Sequence, residues 1–370
     1  MGAAPVGVYP AAIVTTAISC APQITSDTVT FRMPDPDGAL TGVKLVQEIT
    51  RPRPGPDFVR EANIWTLGWR RPPVHRLEYK FELIQGSGKV ETICDPNNPE
   101  RAPGPFGDKS VVRWPEYERP AWTRSAPAEA GTLAHLSIPS RASRTEFDAL
   151  VWSSPRVESE EPAPLLVVHD GPEYESYSNL LRYLATQVEG GSLPPMRAAL
   201  LPPVERDNSY SASALYARVF GGELLPALLR AAPTPPGRAM RIGMGASLGA
   251  LAMLHVHRTK PATFGGLFLQ SGSYFRQRFD PQESSFVRFR RITRFVGRIL
   301  AGAGWSHPIP IAMTCGSGEE NLHNNRAMRD ALARQGYDVG WHEVRDAHNW
   351  IAWRDAFDPA LGSLLTDAWT

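Results

Sequence analysis

The stretch that decides the fold is Met240-Arg241-Ile242-Gly243-Met244-Gly245-Ala246-Ser247-Leu248-Gly249-Ala250, in the second half of the chain. Its first five residues are typical of a buried strand, and residues 251–257 after it are typical of a helix. Between the two lies a G-x-S-x-G motif, which places a serine on a sharp strand-to-helix turn where only small residues fit two positions to either side. We therefore predict that Ser247 projects above the edge of a sheet and acts as a nucleophile.

Strands and helices alternate around this turn, from about residue 130 onward. The predicted strands are mostly continuous apolar runs, typical of strands buried on both faces, and they lie at 148–152, 165–168, 197–201, 240–244, 266–269, 309–314 and 339–344. The predicted helices lie at 174–188, 214–229, 248–257, 286–300, 321–335 and 351–366. This alternation predicts a mostly parallel sheet with helices on both faces.

A serine hydroxyl needs a base to take its proton, and the base needs a third group to hold it in one tautomer. In the α/β-hydrolase fold these groups follow in the order Ser, acid, His. Glu319 and Glu320 stand in a loop two strands after the turn, and His348 stands in the loop after the last strand. We predict His348 as the base. We predict Glu319 as the acid because it leaves the strand end first, with Glu320 as the alternative and Asp346 as a weak candidate.

An oxyanion hole needs two N–H donors, one from the residue after the serine and one from a loop after an earlier strand. Leu248 is the predicted first donor. The predicted second donor is Gly171, in the loop His169-Asp170-Gly171, because a glycine lets the backbone approach a ligand closely. The alternative for this loop is an ordinary strand-to-helix turn capped by Asp170.

Residues 27 to about 122 differ, because short predicted strands follow one another with no helical period between them. These strands lie at 28–32, 43–49, 63–69, 77–84 and 90–95. Their spacing predicts an immunoglobulin-like β-sandwich. A proline-rich connector follows, so we predict two domains, 1–122 and 123–370. Every predicted catalytic group lies in the second domain, and we expect the first to serve solubility or substrate selection rather than the chemistry.

Composition and charge disfavour several classes of protein. The 39 basic and 38 acidic residues leave a net charge of +1, which supplies no field for binding nucleic acid. No run reaches the roughly 20 apolar residues of a membrane span. Residues 1–26 lack the positive start of a secretory signal, so we expect an N-terminal strand there. Cys20, Cys94 and Cys315 have neither disulfide nor metal-site spacing, which favours a cytoplasmic protein without metal or organic cofactor.

A basic helix is predicted at residues 286–300, after the strand beside the nucleophile strand. Its apolar residues recur at helical spacing, while Arg288, Arg291, Arg294 and Arg298 project elsewhere. In one interpretation the helix is a lid on which Arg291 and Arg294 recognise an anionic substrate. In the other it is a packed helix with a solvated face.

Together these motifs resemble the enterochelin (enterobactin) esterase group of the α/β-hydrolases, also called the esterase D group. The resemblance covers most of the chain and is carried by segments 95–99, 106–110, 169–171, 206–210, 223–226, 245–249, 316–321, 348–350 and 353–354. It implies a cytoplasmic bacterial serine esterase with the triad Ser247, Glu319 and His348, in a family that cuts the backbone esters of catecholate siderophores. We take Asp170 and Arg206, in the same segments, as candidate substrate-binding residues.

We therefore predict a serine esterase that acts on small-molecule esters, ferric siderophore esters among them. One alternative is an acyl esterase or acyltransferase on sugar or polyketide esters. Another, of a different class, is a binding protein built on an inactive hydrolase scaffold. The intact order of Ser, acid and His argues against the last alternative.

Overall fold

The structure, a computed structural model, describes residues 19–49, 58–124, 126–304 and 306–370. The strand predicted within residues 1–26 falls mainly outside these ranges, and the first strand inside them is β1 (Gln23–Ile24). None of the helices in the described ranges combines the length and the apolar character that a membrane crossing needs.

Two antiparallel sheets make up the first part of the chain. Their further strands are β2 (Thr28–Pro34), β3 (Leu40–Val46), β4 (Val59–Glu61), β5 (Ile64–Arg70), β6 (Arg76–Gln85), β7 (Val90–Ile93), β8 (Arg101–Ala102) and β9 (Lys109–Arg113). One sheet has the order β1-β2-β5-β4, and the other has the order β3-β6-β9-β8 with β7 also paired to β6. Phe31 of β2 contacts Tyr79 and Phe81 of β6, so the two sheets face each other across one shared core.

An eight-stranded sheet forms the second part. Its strands are β10 (Thr132–Ser140), β11 (Thr145–Ser153), β12 (Leu165–His169), β13 (Arg197–Leu201), β14 (Arg241–Ala246), β15 (Gly266–Gln270), β16 (Pro310–Gly316) and β17 (Asp338–Val344). The order is β10-β11-β13-β12-β14-β15-β16-β17. Strands β12 to β17 pair in parallel, as predicted, and β10 and β11 add an antiparallel edge. Sequence analysis missed β10 because most of its residues are exposed and supply no apolar run.

Helices cover both faces of this sheet. They are α1 (Gly171–Ser178), α2 (Leu180–Glu189), α3 (Arg206–Ser209), α4 (Ala214–Val219), α5 (Leu225–Ala231), α6 (Leu248–Thr259), α7 (Phe289–Leu300), α8 (Leu322–Arg334), α9 (Trp350–Asp355) and α10 (Gly362–Trp369). Leu165 and Val167 enter a core with residues of α6 and α7, whereas Leu166 and Val168 enter a second core with residues of α2 and α10. Alternate residues of one strand thus point to opposite faces.

Three of the predicted long helices are interrupted, and the one predicted at 214–229 is divided into α4 and α5 by a π-helical segment at Phe220–Leu224. The helix predicted at 174–188 is divided into α1 and α2 by Asn179, whose φ of 52° is left-handed. Asparagine tolerates this conformation better than most residues, so the break has a local cause. The helix predicted at 351–366 is divided into α9 and α10 by a π-helical segment at Phe357–Leu361.

Candidate active site

The turn between β14 and α6 has the geometry that the G-x-S-x-G motif predicts. Ser247 has φ 55° and ψ −121°, a strained conformation for a residue with a side chain. A Cβ at Gly245 would lie 2.6 Å from the carbonyl carbon of Gly249, and a Cβ at Gly249 would lie 3.1 Å from a carboxylate oxygen of Asp170. Glycine is therefore needed at position 245, a side chain at position 249 would be tightly packed, and the turn holds Ser247 at the carboxyl end of its strand.

The predicted acid and base form a hydrogen-bonded pair. Nδ1 of His348 lies 2.8 Å from Oε2 of Glu319, and the Glu319 side chain is only 1% exposed. Nδ1 therefore carries the proton donated to Glu319, which leaves Nε2 as the nitrogen able to take a proton from a nucleophile. Glu320, the alternative acid, is an exposed residue.

The pKa of His348 is shifted by opposing effects. Burial lowers it, but the charge of Glu319 and the hydrogen bond to that carboxylate outweigh burial, and Glu48 adds to them. The net result is a pKa above the usual value of 6.5. The site is thus built to stabilise the imidazolium that forms when His348 accepts a proton.

A chain of hydrogen bonds fixes Glu319 through the carboxylate oxygen that does not bond His348. Its Oε1 accepts bonds from Oγ of Ser271 at 2.6 Å and from the backbone N–H of Gly316 at 2.8 Å. Nε1 of Trp353 donates to Oγ of Ser271 at 3.0 Å, and the Trp353 ring stands edge-on to the His348 ring with centroids 5.0 Å apart. Trp353 therefore contacts the His348 ring directly and is linked to Glu319 through Ser271.

Oγ of Ser247 lies 3.0 Å from Oγ of Ser273, with which it is hydrogen bonded. The backbone N–H of Ser273 also donates to the carbonyl of Ser247 at 3.1 Å. Proton transfer to His348 requires the Ser247 hydroxyl to turn from Ser273 towards His348. Hydrogen bonds between catalytic groups often shorten in this way only when substrate binds.

The loop after β12 carries an ion pair at the site. Asp170 is buried with φ 50°, and it accepts bonds from Nε and Nη2 of Arg206 at 2.9 and 2.8 Å. Arg206 thus reaches the site already paired, which limits the charge it offers a substrate. Gly171 opens α1, and a Cβ there would lie 2.4 Å from the Cα of Leu200, so close packing against β13 explains this glycine without reference to a ligand.

Two predicted substrate-binding arginines lie elsewhere. Arg291 donates to the carbonyl oxygens of Ser211 and Asn208. Arg291 and Arg294 line a separate cavity beside α7, which none of the three triad residues lines. The apolar face of α7 is buried in the core of the second part of the chain, so within the described residues α7 is a packed helix with a solvated face rather than a lid.

Two adjoining cavities meet at Ser247. Ser247, Glu319 and His348 all line the first, of about 480 Å³, together with Leu248. Ser247 and His348 also line the second, of about 340 Å³, with Trp350. A ligand bound at Ser247 therefore has room on both sides.

The first part of the chain contributes residues to the lining of both cavities, and its expected role in substrate selection stays a prediction. Glu48 lines both cavities, and Lys109 and the loop 103–107 line the second. At the tip of this loop Phe106 is 90% exposed. The loop that carries His348 also rests on the sandwich, because Ala347 belongs to its apolar core.

Sequence reasoning missed Ser271, Ser273 and the sandwich residues. Ser271 and Ser273 follow β15, so the rule that polar residues gather at the carboxyl edge of a parallel sheet would have found them. No such rule identifies Glu48 or loop 103–107, because their place at the site depends on how the sandwich packs.

Comparison with known proteins gives one consistent result. No protein-family profile matches the chain. The iron(III) enterobactin esterase of Dickeya dadantii is 25% identical over 252 residues, which are 65% of this chain but only 56% of that protein. The iron(III) enterobactin esterase of Escherichia coli O6:H1 is 24% identical over 302 residues, 78% of this chain and 71% of that protein.

Comparison of the fold with solved structures agrees with the sequence comparison and covers more of the chain. A crystal structure of the enterobactin esterase of Shigella flexneri, determined in the presence of enterobactin, superposes with a TM-score of 0.73 and 21% identity over 95% of this chain and 96% of that one. The resemblance seen in the motifs is therefore confirmed, and this chain is a relative of the enterobactin esterases with an α/β-hydrolase fold.

Proposed function

We propose that this protein is a serine esterase that hydrolyses carboxylic esters through an acyl-enzyme. The observation that carries the proposal is the pairing of His348 with buried Glu319 at 2.8 Å, in the cavity that Ser247 also lines. Ser247 stands on the strained turn typical of nucleophiles in this fold.

The reaction follows from the proton positions. Oγ of Ser247 attacks the ester carbonyl and its proton moves to Nε2 of His348, while Nδ1 keeps its bond to Glu319. The tetrahedral intermediate breaks its bond to the alcohol, which leaves with the proton from His348. A water molecule then attacks the acyl-Ser247 ester, His348 takes one of its protons, and the acid leaves as Ser247 recovers its hydrogen.

The developing oxyanion needs donors at the start of α6. The backbone N–H of Leu248, the first residue of that helix, is the proposed first donor, since a helix N-terminus favours negative charge. The loop of Asp170 and Gly171 is the proposed source of the second.

We infer the substrate class from the relatives and from the cavity. The curated relatives are named as iron(III) enterobactin esterases, which makes siderophore esters the leading candidates. The lining of the first cavity adds a constraint on the charge of the substrate. Among its described residues Arg206 is the one arginine or lysine. Six carboxylates line the same cavity: Glu48, Asp207, Asp280, Glu283, Glu319 and Glu320. Burial, Glu320 and Asp280 all raise the pKa of Glu283, which indicates crowded negative charge. A neutral or weakly charged ester fits this cavity better than a polyanionic iron chelate.

The finer features of the architecture belong to the same proposal. The two sheets around the core of Phe31 and Tyr79 support an immunoglobulin-like sandwich, with the domain boundary after residue 122. The buried thiol of Cys315, which has no disulfide, is consistent with a cytoplasmic enzyme.

The test is a panel of esters with and without added alcohol acceptors. Wild-type protein and the control Ser87→Ala, changed in an exposed turn, should hydrolyse short acyl and aryl esters. Ser247→Ala should lose turnover by a factor on the order of 10⁶. Transfer of the acyl group to an added alcohol in preference to water would indicate an acyltransferase, and no turnover by wild type would indicate a binding protein.

A further inference from the structure

A further cavity, distinct from the two at Ser247 and from the one beside α7, lies between the sandwich, the connector and the helices of the second part of the chain. Its volume is about 280 Å³, and its lining contains six arginines, Arg76, Arg101, Arg113, Arg119, Arg182 and Arg354. Among the described residues that line it there is no aspartate or glutamate. Cationic side chains from three parts of the chain therefore converge on one cavity.

Carboxylates outside the cavity neutralise only some of these cations. Arg76 pairs with both Asp346 and Glu78, and Arg354 pairs with Asp355. Arg113 pairs with Glu100, at an exposed position.

The remaining arginines form no ion pair within the described ranges. Arg182 donates to the carbonyl of Thr123 at 3.1 Å, and Arg101 bonds only carbonyl oxygens and the Ser110 hydroxyl. Arg119 makes neither a hydrogen bond nor an ion pair there. The cavity thus holds an excess of positive charge.

Hydrogen-bond donors are in excess as well. Nε of Arg113, Nε of Arg182 and Nε1 of Trp122 are buried, and none has an acceptor in the described part of the chain. All three residues line this cavity. These N–H groups add donors, and no acceptor, to the surroundings of the arginines.

We propose that this cavity binds a small oxyanion of more than one negative charge, with inorganic phosphate as its simplest form. Guanidinium groups match the geometry of phosphate oxygens and bind them with two parallel hydrogen bonds. A bound anion would join Arg101 and Arg113 of the sandwich to Arg182 and Arg354 of the hydrolase part. It would therefore stabilise the contact between the two parts.

The cavity beside α7 provides an internal control. It is also lined by arginines, but Arg291 and Arg258 already donate to neutral acceptors, among them Ser211 and Gln335. Arg294 and Arg298 line the same cavity. Changing these two removes the same charge from the protein without touching the proposed site.

The experiment measures phosphate binding by the full-length protein. Calorimetry and thermal unfolding with phosphate, at ionic strength matched with chloride, should show a saturable rise in Tm for wild type and for the control Arg294→Gln/Arg298→Gln. Arg119→Gln/Arg182→Gln should weaken phosphate binding at least tenfold. Sulfate should compete with phosphate, and chloride should not.

Two results would overturn the proposal. One is a Tm rise no larger in phosphate than in chloride, and the other is equal phosphate binding by the two double variants. If the Arg119→Gln/Arg182→Gln protein does not fold, Arg119→Gln alone decides, since this exposed side chain holds no other described residue in place. The readout is binding, so it is independent of the proposed esterase activity.

Discussion

Arg76 of the sandwich donates a hydrogen bond of 3.0 Å to the carboxylate of Asp346, two residues before His348. Both side chains are buried, at 2% and 3% exposure. Arg76 also donates to Oδ1 of Asn349 at 3.1 Å, and Oδ1 of Asp346 accepts from the side chain of Asn349 at 2.9 Å. Residues on both sides of His348 are therefore tied to a strand of the other part of the chain.

We predict that Arg76→Met impairs both stability and turnover. Removing one partner of a buried ion pair leaves an unpaired charge and costs about 3–5 kcal/mol. Urea unfolding should show this loss, and kcat for a small neutral ester should fall because the His348 loop loses its support. Arg71→Met, which breaks the more exposed pair with Glu116, is the control and should change both quantities far less. Wild-type kcat in a folded Arg76→Met protein would contradict the positioning role.

The choice of acid is tested by pH profiles. We expect Glu319→Gln to lower kcat by a factor on the order of 10⁴, as loss of the carboxylate does in comparable triads. Turnover needs neutral His348, so in wild type it rises with pH through a pKa above 6.5. Glu319 is a main cause of that raised pKa, so its removal should shift the acidic limb to lower pH. Glu320→Gln should leave the limb in place, and equal shifts for both variants would refute the assignment of Glu319.

Ser271 is expected to act through Glu319. In Ser271→Ala, Oε1 of Glu319 loses its 2.6 Å donor and Trp353 loses its acceptor. A hydrogen bond to a charged group contributes about 1.5–3 kcal/mol, so kcat should fall by roughly one to two orders of magnitude with little change in KM. Ser154→Ala removes another buried serine hydroxyl, one bonded to the N–H of Met196, and should leave kcat unchanged. Similar kcat values for the two variants would mean that Ser271 has only a structural role.

The negative charge of the first cavity, the one that Ser247, Glu319 and His348 line, predicts a preference for neutral over anionic esters. Glu283→Gln/Glu320→Gln should raise kcat/KM for an anionic ester and leave a neutral ester nearly unaffected, because two repelling carboxylates are removed. Added salt should reduce the difference, since exposed charges are screened over about 8 Å at physiological ionic strength. Arg294→Gln should affect neither ester, as Arg294 lines another cavity. A loss of activity on the anionic ester in the double variant would contradict this view of the cavity.

The sequence was sufficient to predict the parts of the site that follow from local chemistry. Ser247 was predictable because its turn requires glycines at fixed spacing, and Glu319 and His348 because parallel strands bring their carboxyl ends to one edge. The places of Arg291 and Arg294 were not predictable, because helical spacing shows which residues share a face but not what that face meets. The contact between Arg76 and Asp346 joins residues 270 positions apart and depends on the packing of two sheets, which no local pattern records.

The measurement that tests the central claim most directly is the site of labelling by a fluorophosphonate. Intact-mass analysis of wild-type protein should show one adduct, and peptide mapping should place it on Ser247. Ser247→Ala should stay unlabelled under the same conditions, while Ser273→Ala, which removes the hydrogen-bond partner of the nucleophile, should still be labelled on Ser247. An adduct on another residue of wild type, or no adduct on folded protein, would contradict the assignment of Ser247 as the nucleophile.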